Sequence, residues 1–184
     1  MAKSIEMEEL ILDLGCGNKK REGTIGVDFN ARLDGDVNHD LNQFPYPFES
    51  ETVDKVYIDN CLEHLDEPLK VMEEIHRILK FDGEVEVIVP YFRSPGAFID
   101  PTHTHFFTVN SFAYFDPKTE IYKRYGYTES KFSVLKIIFH ENLVNGALKK
   151  LFVNFANKHT ELYERYLSHL IPLDEISFYL KKIK

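Results

Sequence analysis

Two hydrophobic periodicities alternate along the chain. Short runs of β-branched and apolar residues, bounded by glycine, proline or aspartate, predict strands over residues 9–14, 24–28, 53–59, 84–90 and 132–139. A short third strand is expected over 36–40, and Ile176-Ser177-Phe178-Tyr179-Leu180 alternates like a last one. Between 53–59 and 84–90 the period lengthens. Asp66-Glu67-Pro68 is a helix start, with acids at the positive end of the dipole and proline in the first turn. Leu69, Met72, Ile75 and Leu79 then recur at helical spacing to Lys80, and Phe81-Asp82-Gly83 is expected to turn the chain. Leu143, Ala147, Leu151 and Phe155 mark a further helix, and Leu162, Tyr166 and Leu170 another. Strands alternating with helices predict an α/β fold: a mainly parallel sheet, helices on both faces, ligands at the carboxyl ends of the strands.

Residues 91–130 break this rhythm. They are rich in aromatic side chains, among them Tyr91, Phe92, Phe98, Phe106 and Phe107, and a short helix is expected from Thr108 as N-cap to Phe115. This stretch reads as a lid-like insertion within a single domain spanning 1–184, or equally as aromatic side chains packing on their own core.

Composition narrows the function. A chain of 184 residues with 43% apolar content buries a real core, and no apolar run is long enough to cross a bilayer. Met1-Ala2-Lys3-Ser4-Ile5-Glu6 lacks the apolar centre of a signal peptide, and Cys16 and Cys61 form no closely spaced motif, so a cytoplasmic location with reduced thiols is expected. The net charge of −8 argues against nucleic acid as a partner, which needs a basic face. Lys19-Lys20-Arg21 reads first as a solvated turn.

The most informative stretch is Leu12-Asp13-Leu14-Gly15-Cys16-Gly17 followed by Gly26-Val27-Asp28. Two glycines let the backbone turn sharply beside a ligand, and a carboxylate at a strand end can accept from both hydroxyls of a ribose. With His39-Asp40-Leu41, Leu62-Glu63-His64-Leu65 and the run from Arg77 to Gly83, these motifs resemble class I S-adenosylmethionine-dependent methyltransferases, nearest the small type 11 methyltransferase-domain group. The resemblance runs in order from Leu10 to Tyr91.

It implies a Rossmann-like, doubly wound, mostly parallel seven-stranded sheet with an antiparallel last strand. It also implies S-adenosylmethionine as cofactor and methyl transfer as the reaction. Asp13, Gly15, Cys16 and Gly17 would border the methionine part, and Asp28 the ribose. Asp40 would meet the adenine amine, with Leu41 against the ring, and Asn60 and Cys61 would lie near the sulfonium. Two departures stand out. Lys19 occupies the family's third glycine position. The connection from Gly15 to Thr24 is also too short for a full crossover, which normally takes about a dozen residues or more. A shortened first helix follows, with Lys19, Lys20 or Arg21 available to offer charge to the cofactor carboxylate.

Candidate catalytic bases are His64, His103 and His105, because histidine titrates near neutrality. His103 and His105 lie two apart, so in extended chain both would face one side, with Asp100 near. Substrate contact, loop anchoring and metal binding are the readings of this pair. With only Asp-x-x-His-x-His at hand locally, no metal site is assigned. A dinucleotide dehydrogenase is disfavoured because Lys20 stands where its motif needs glycine. The function expected is a methyltransferase acting on a small molecule or a glycan or lipid precursor. The rival is a non-catalytic, cofactor-binding partner or regulatory subunit, and whether the chain pairs with itself or another subunit stays open.

Overall fold

A computed structural model describes residues 9–30, 35–140 and 147–184. Seven strands form one sheet in the order β3-β2-β1-β4-β5-β7-β6. They are β1 (Ile11–Leu14), β2 (Ile25–Asp28), β3 (Val37–Asn38), β4 (Val53–Asp59), β5 (Leu79–Pro90), β6 (Phe132–His140) and β7 (Glu175–Lys182). Strands β1 to β5 pair in parallel, whereas β7 runs antiparallel to both β5 and β6. The expected architecture is the observed one.

Alternation within the strands gives the sheet two unlike faces. On one, Leu12, Leu14, Val27, Val56, Ile58, Val85, Val87, Phe178 and Leu180 are buried almost completely. Helix α1 (Pro68–Ile78) lays Val71, Met72, Ile75 and Ile78 among the same buried core, which contributes a gross stabilisation of roughly 6–12 kcal/mol before entropy is counted. On the other face Lys55, Glu84 and Lys181 stand opposite one another across β4, β5 and β7, beside a second row of Tyr57, Glu86 and Tyr179. Opposite charges in register support a sheet face that stays partly solvated.

The first crossover is shorter than a helix needs. No helix is present among the described residues between β1 and β4. Residues 15–24 form turns, pinned by the Arg21 amide donating to Asp13 Oδ2 at 2.8 Å and by Thr24 Oγ1 donating to the Arg21 carbonyl at 2.7 Å. Several boundaries move from their expected places. Strand β3 shrinks to two residues. Leu79 already pairs with Val53, so the expected turn at 81–83 is a register shift inside β5, with Asp82 at φ 64°. The helix expected over 108–115 is a single 3-10 turn, Ala113–Phe115, and Thr108 caps locally by accepting from the Asn110 amide at 3.3 Å.

Helices α2 (Gly96–Ile99) and α3 (Glu120–Tyr125) lie in the insertion, and α4 (Ala147–Lys158) follows β6. The Leu143 position lies outside the described residues. The helix expected from Leu162 onward is a helical turn, Thr160–Leu162, that passes into a π-helical turn, Tyr163–Leu167. Its buried Tyr163 accepts from the Leu173 amide and donates to the Ile171 carbonyl.

Candidate functional site

The carboxyl ends of the parallel strands open into three adjoining cavities. The first, about 680 Å³, is lined by Asp13, Gly15, Cys16, Gly17, Lys19, Arg21, Asp59, Asn60 and Glu175. The second, about 540 Å³, is lined by Gly15, Asp28, Phe29, Asp40, Leu41, Asn60, Cys61 and His64. The third, about 600 Å³, is lined by Asn60, Glu63, His64, Asp100, His103 and Glu175. Asn60 borders all three.

Backbone geometry makes the junction. Gly15 has φ 69°, and a Cβ there would lie 2.3 Å from Cys61 Sγ, so only glycine fits between β1 and the end of β4. Gly17 has φ 53° with open space where a side chain would be. Its amide donates to Asp28 Oδ2 at 3.1 Å, and the Asn30 amide donates to Asp28 Oδ1 at 2.9 Å. Each carboxylate oxygen of Asp28 thus keeps acceptor capacity for a second donor. Asp40 Oδ1 accepts from the Asn42 amide, so this residue both closes its loop and faces the second cavity. Leu41 is 5% exposed.

Charged side chains of both signs line the first cavity. Asn60, at φ 46°, donates through Nδ2 to Asp59 Oδ1 and to Glu175 Oε1, both at 3.0 Å. Arg21 ion-pairs with Asp59 at 3.0 Å and lies over the Tyr57 ring. Burial raises the carboxyl pKa of Asp13 and of Asp59, with Arg21 opposing in each case. Of the three basic residues considered from sequence, Lys19 and Arg21 border this cavity, while Lys20 is turned to Asp36 at 2.8 Å. Burial pushes the Cys61 thiol up to about 12, so it remains a neutral thiol.

The third cavity gathers groups from distant segments. Glu63 is 1% exposed, and burial pushes its carboxyl up to about 7. His103 Nε2 lies 3.9 Å from Glu63 Oε1, and the His64 and His103 rings sit 4.6 Å apart. Of the three histidines considered, His64 and His103 meet here. His105 is absent from the lining residues, because its segment is anchored through its own amide and that of Thr104, both donating to the Glu63 carbonyl. From the sequence, Glu63 enters only as part of the Leu62–Leu65 motif, and Asp59 and Glu175 are given no role in the site. Asp59 was signalled by its place beside Asn60, whereas Glu175 arrives from a strand 115 residues downstream.

Residues 12–87 match the family model for the methyltransferase domain. Over those residues, from β1 into β5, the chain is similar to a methyltransferase domain. S-adenosylmethionine is the cofactor of that domain family, and the first two cavities have features that suit it: Gly15, where a Cβ would meet Cys61, lies between the Asp28 carboxylate and a charged space. Among solved structures, an S-adenosylmethionine-dependent methyltransferase from Archaeoglobus fulgidus shares the fold with a TM-score of 0.59. It has 20% identity and covers 95% of this chain and 86% of its own. A chain in a complex between the Haloferax volcanii methyltransferase activator Trm112 and a methyltransferase has a TM-score of 0.56 at 15% identity. Its coverage is 97% of this chain and 84% of its own. The [4+2]-cyclase SpnF has a TM-score of 0.58 at 16% identity, over 97% and 76% respectively. The methyltransferase-domain fold thus also serves a cyclase, and the reaction is argued from the site. No curated protein sequence matches the chain. No helix among the described residues is long and apolar enough to cross a membrane.

Proposed function

We propose that this chain transfers a methyl group from S-adenosylmethionine to a small molecule or a glycan or lipid precursor. In this reading Asp28 accepts from the ribose hydroxyls, and Asp40 and Leu41 hold the adenine. Asp13, Gly15, Cys16 and Gly17 border the methionine part, where Lys19 and Arg21 meet its carboxylate and the acidic groups its ammonium. The acceptor occupies the third cavity, and its proton leaves through the Glu63, His64 and His103 cluster. Residues 91–130 act as the lid, with Phe98 and Phe106 stacked at its surface.

One observation carries this reading: Asn60 borders both cofactor cavities and the cavity that holds the histidines. A sulfonium beside Asn60 would stand between the two spaces, which is the in-line placement methyl transfer requires. The second reading, a cofactor-binding regulatory subunit, is favoured by the polar sheet face and by the turn-only connection between β1 and β2. That the same fold occurs in a complex with an activator makes the comparison worthwhile.

Calorimetry with S-adenosylhomocysteine on the purified chain tests the first step, and binding is expected at one site. Absence of binding by either form of the cofactor would sink both readings. Transfer of labelled methyl by the purified chain alone, compared with transfer after adding cell extract, separates enzyme from subunit. Activity only with extract would favour the subunit.

A further inference from the structure

The Glu63 side chain is buried, and neither carboxyl oxygen has a hydrogen-bond partner in another side chain or backbone group among the described residues. A carboxylate so placed calls for a donor or a compensating charge. The His103 ring beside it, with Nε2 3.9 Å from Glu63 Oε1, cannot supply one in the neutral state. His103 Nδ1 lies 3.1 Å from the Ala97 carbonyl, which only accepts, so Nδ1 carries the proton and Nε2 turns a lone pair toward Glu63. His64 is held in a similar way. Its Nδ1 lies 2.9 Å from Thr102 Oγ1, whose own proton goes to Asp100 Oδ1 at 2.6 Å, so Nδ1 donates and the other nitrogen keeps its lone pair. One nitrogen from each ring and a Glu63 oxygen lie within 4.8 Å of one another. Among the described residues three acceptor-capable groups converge there, and either a proton on the Glu63 carboxyl or a cation between them reconciles the three.

We propose that Glu63, His64 and His103 form a binding site for a first-row divalent cation, zinc being the best match. Two imidazoles and one carboxylate suit a borderline cation, and three protein ligands leave positions open for an oxygen donor. The His103 Nδ1–H on a backbone carbonyl is the outer contact that metal-bound histidines carry, fixing tautomer and ring orientation. Tetrahedral ligands about 2.1 Å from a cation are about 3.4 Å apart, so a small closure of side chains completes the shell. The open positions face the third cavity. If the methyltransferase reading holds, the oxygen donor there would be the acceptor's hydroxyl; the cation would then replace the cluster as the aid to ionisation, lowering the hydroxyl pKa so that its proton leaves to solvent in the third cavity. The cation site itself does not depend on that reading.

The test uses the full chain stripped with chelator and titrated with Zn2+ by calorimetry and with Co2+ by visible absorption. One equivalent of each is expected to bind, with Co2+ bands free of thiolate charge transfer. Glu63→Gln and His103→Asn are each expected to weaken binding at least tenfold while circular dichroism stays unchanged. Cys61→Ser is expected to bind as the wild type does. No stoichiometric binding, unchanged binding in Glu63→Gln, or a thiolate band lost in Cys61→Ser would each overturn the site. S-adenosylhomocysteine is titrated into the same preparation. Cofactor binding without metal binding removes only the cation site, and metal binding without cofactor binding removes only the methyltransferase reading.

Discussion

Gly15 and Cys61 meet so closely that a methyl group on Gly15 would lie 2.3 Å from Cys61 Sγ and 2.7 Å from its Cβ. This contact joins the end of β1 to the end of β4, where the first two cavities converge. Gly15→Ala adds a Cβ both to that contact and to a left-handed backbone, and is expected to cost about 2–4 kcal/mol. Cys61→Gly in the same chain removes the steric part and leaves the backbone part. Denaturant unfolding of the single and double variants measures both, and an additive double variant would refute the coupling.

Asp28 carries the proposed ribose contact. Asp28→Ala removes two charge-assisted acceptors and is expected to weaken S-adenosylhomocysteine binding by roughly 1.5–3 kcal/mol, about ten- to a hundredfold. The variant also removes the Asp28 bonds of the Gly17 and Asn30 amides, so loop order must be checked. Adenosine and methionine titrated separately distinguish the cases: selective loss of adenosine binding fits the ribose role, and equal loss of both fits a collapsed loop.

Asn60 holds two carboxylates together by one amide. Asn60→Ala frees Asp59 and Glu175 to repel and places alanine at φ 46°, for an expected destabilisation of about 1–3 kcal/mol. Asn60→Gly relieves the backbone and leaves the repulsion. Thermal unfolding at low and high salt reads the difference, since salt screens only the repulsion. An Asn60→Gly variant insensitive to salt would contradict the assignment.

Away from the cavities, Glu74 anchors α1 to the loop before β4. Its Oε1 accepts from the Tyr46 amide and from Arg77 Nη2, both at 2.6 Å. Burial alone would raise its pKa, but the Arg77 and Tyr46 hydrogen bonds prevail and hold it below the ordinary value of 4.5. The folded state therefore binds the proton less readily than the unfolded one. The stabilisation is complete above about pH 4.5 and fades as pH falls through the lower folded value. Glu74→Gln is expected to cost about 2–3 kcal/mol at pH 7 and to flatten the acid limb of the stability profile. A variant that keeps the wild-type acid limb would place its origin elsewhere.

Much of this was legible along the chain because it rests on local physics. β4 appears where alternation predicted it, and α1 begins at the proline that marked its first turn. Gly15, Gly17 and Asp28 gather at one cavity system because a strand-end turn brings near neighbours together. The aromatic stretch was harder, since the helix expected from Thr108 as N-cap to Phe115 settles into one 3-10 turn. There, side-chain packing outweighs backbone propensity: Phe112 stacks among Phe107, Phe115 and Phe178.

The sequence by itself determined the order of the strands' apolar runs, the helix between β4 and β5, and the glycine turn with its carboxylate. Each depends on residues close in the chain. Only the tertiary structure decided what stands across from them. Glu175 reaches Asn60 because β7 reverses direction beside β5, and His103 reaches Glu63 because the insertion folds back over the end of β4. Such meetings follow from sheet topology and loop closure, whose contacts join residues far apart in sequence and leave no periodicity to read.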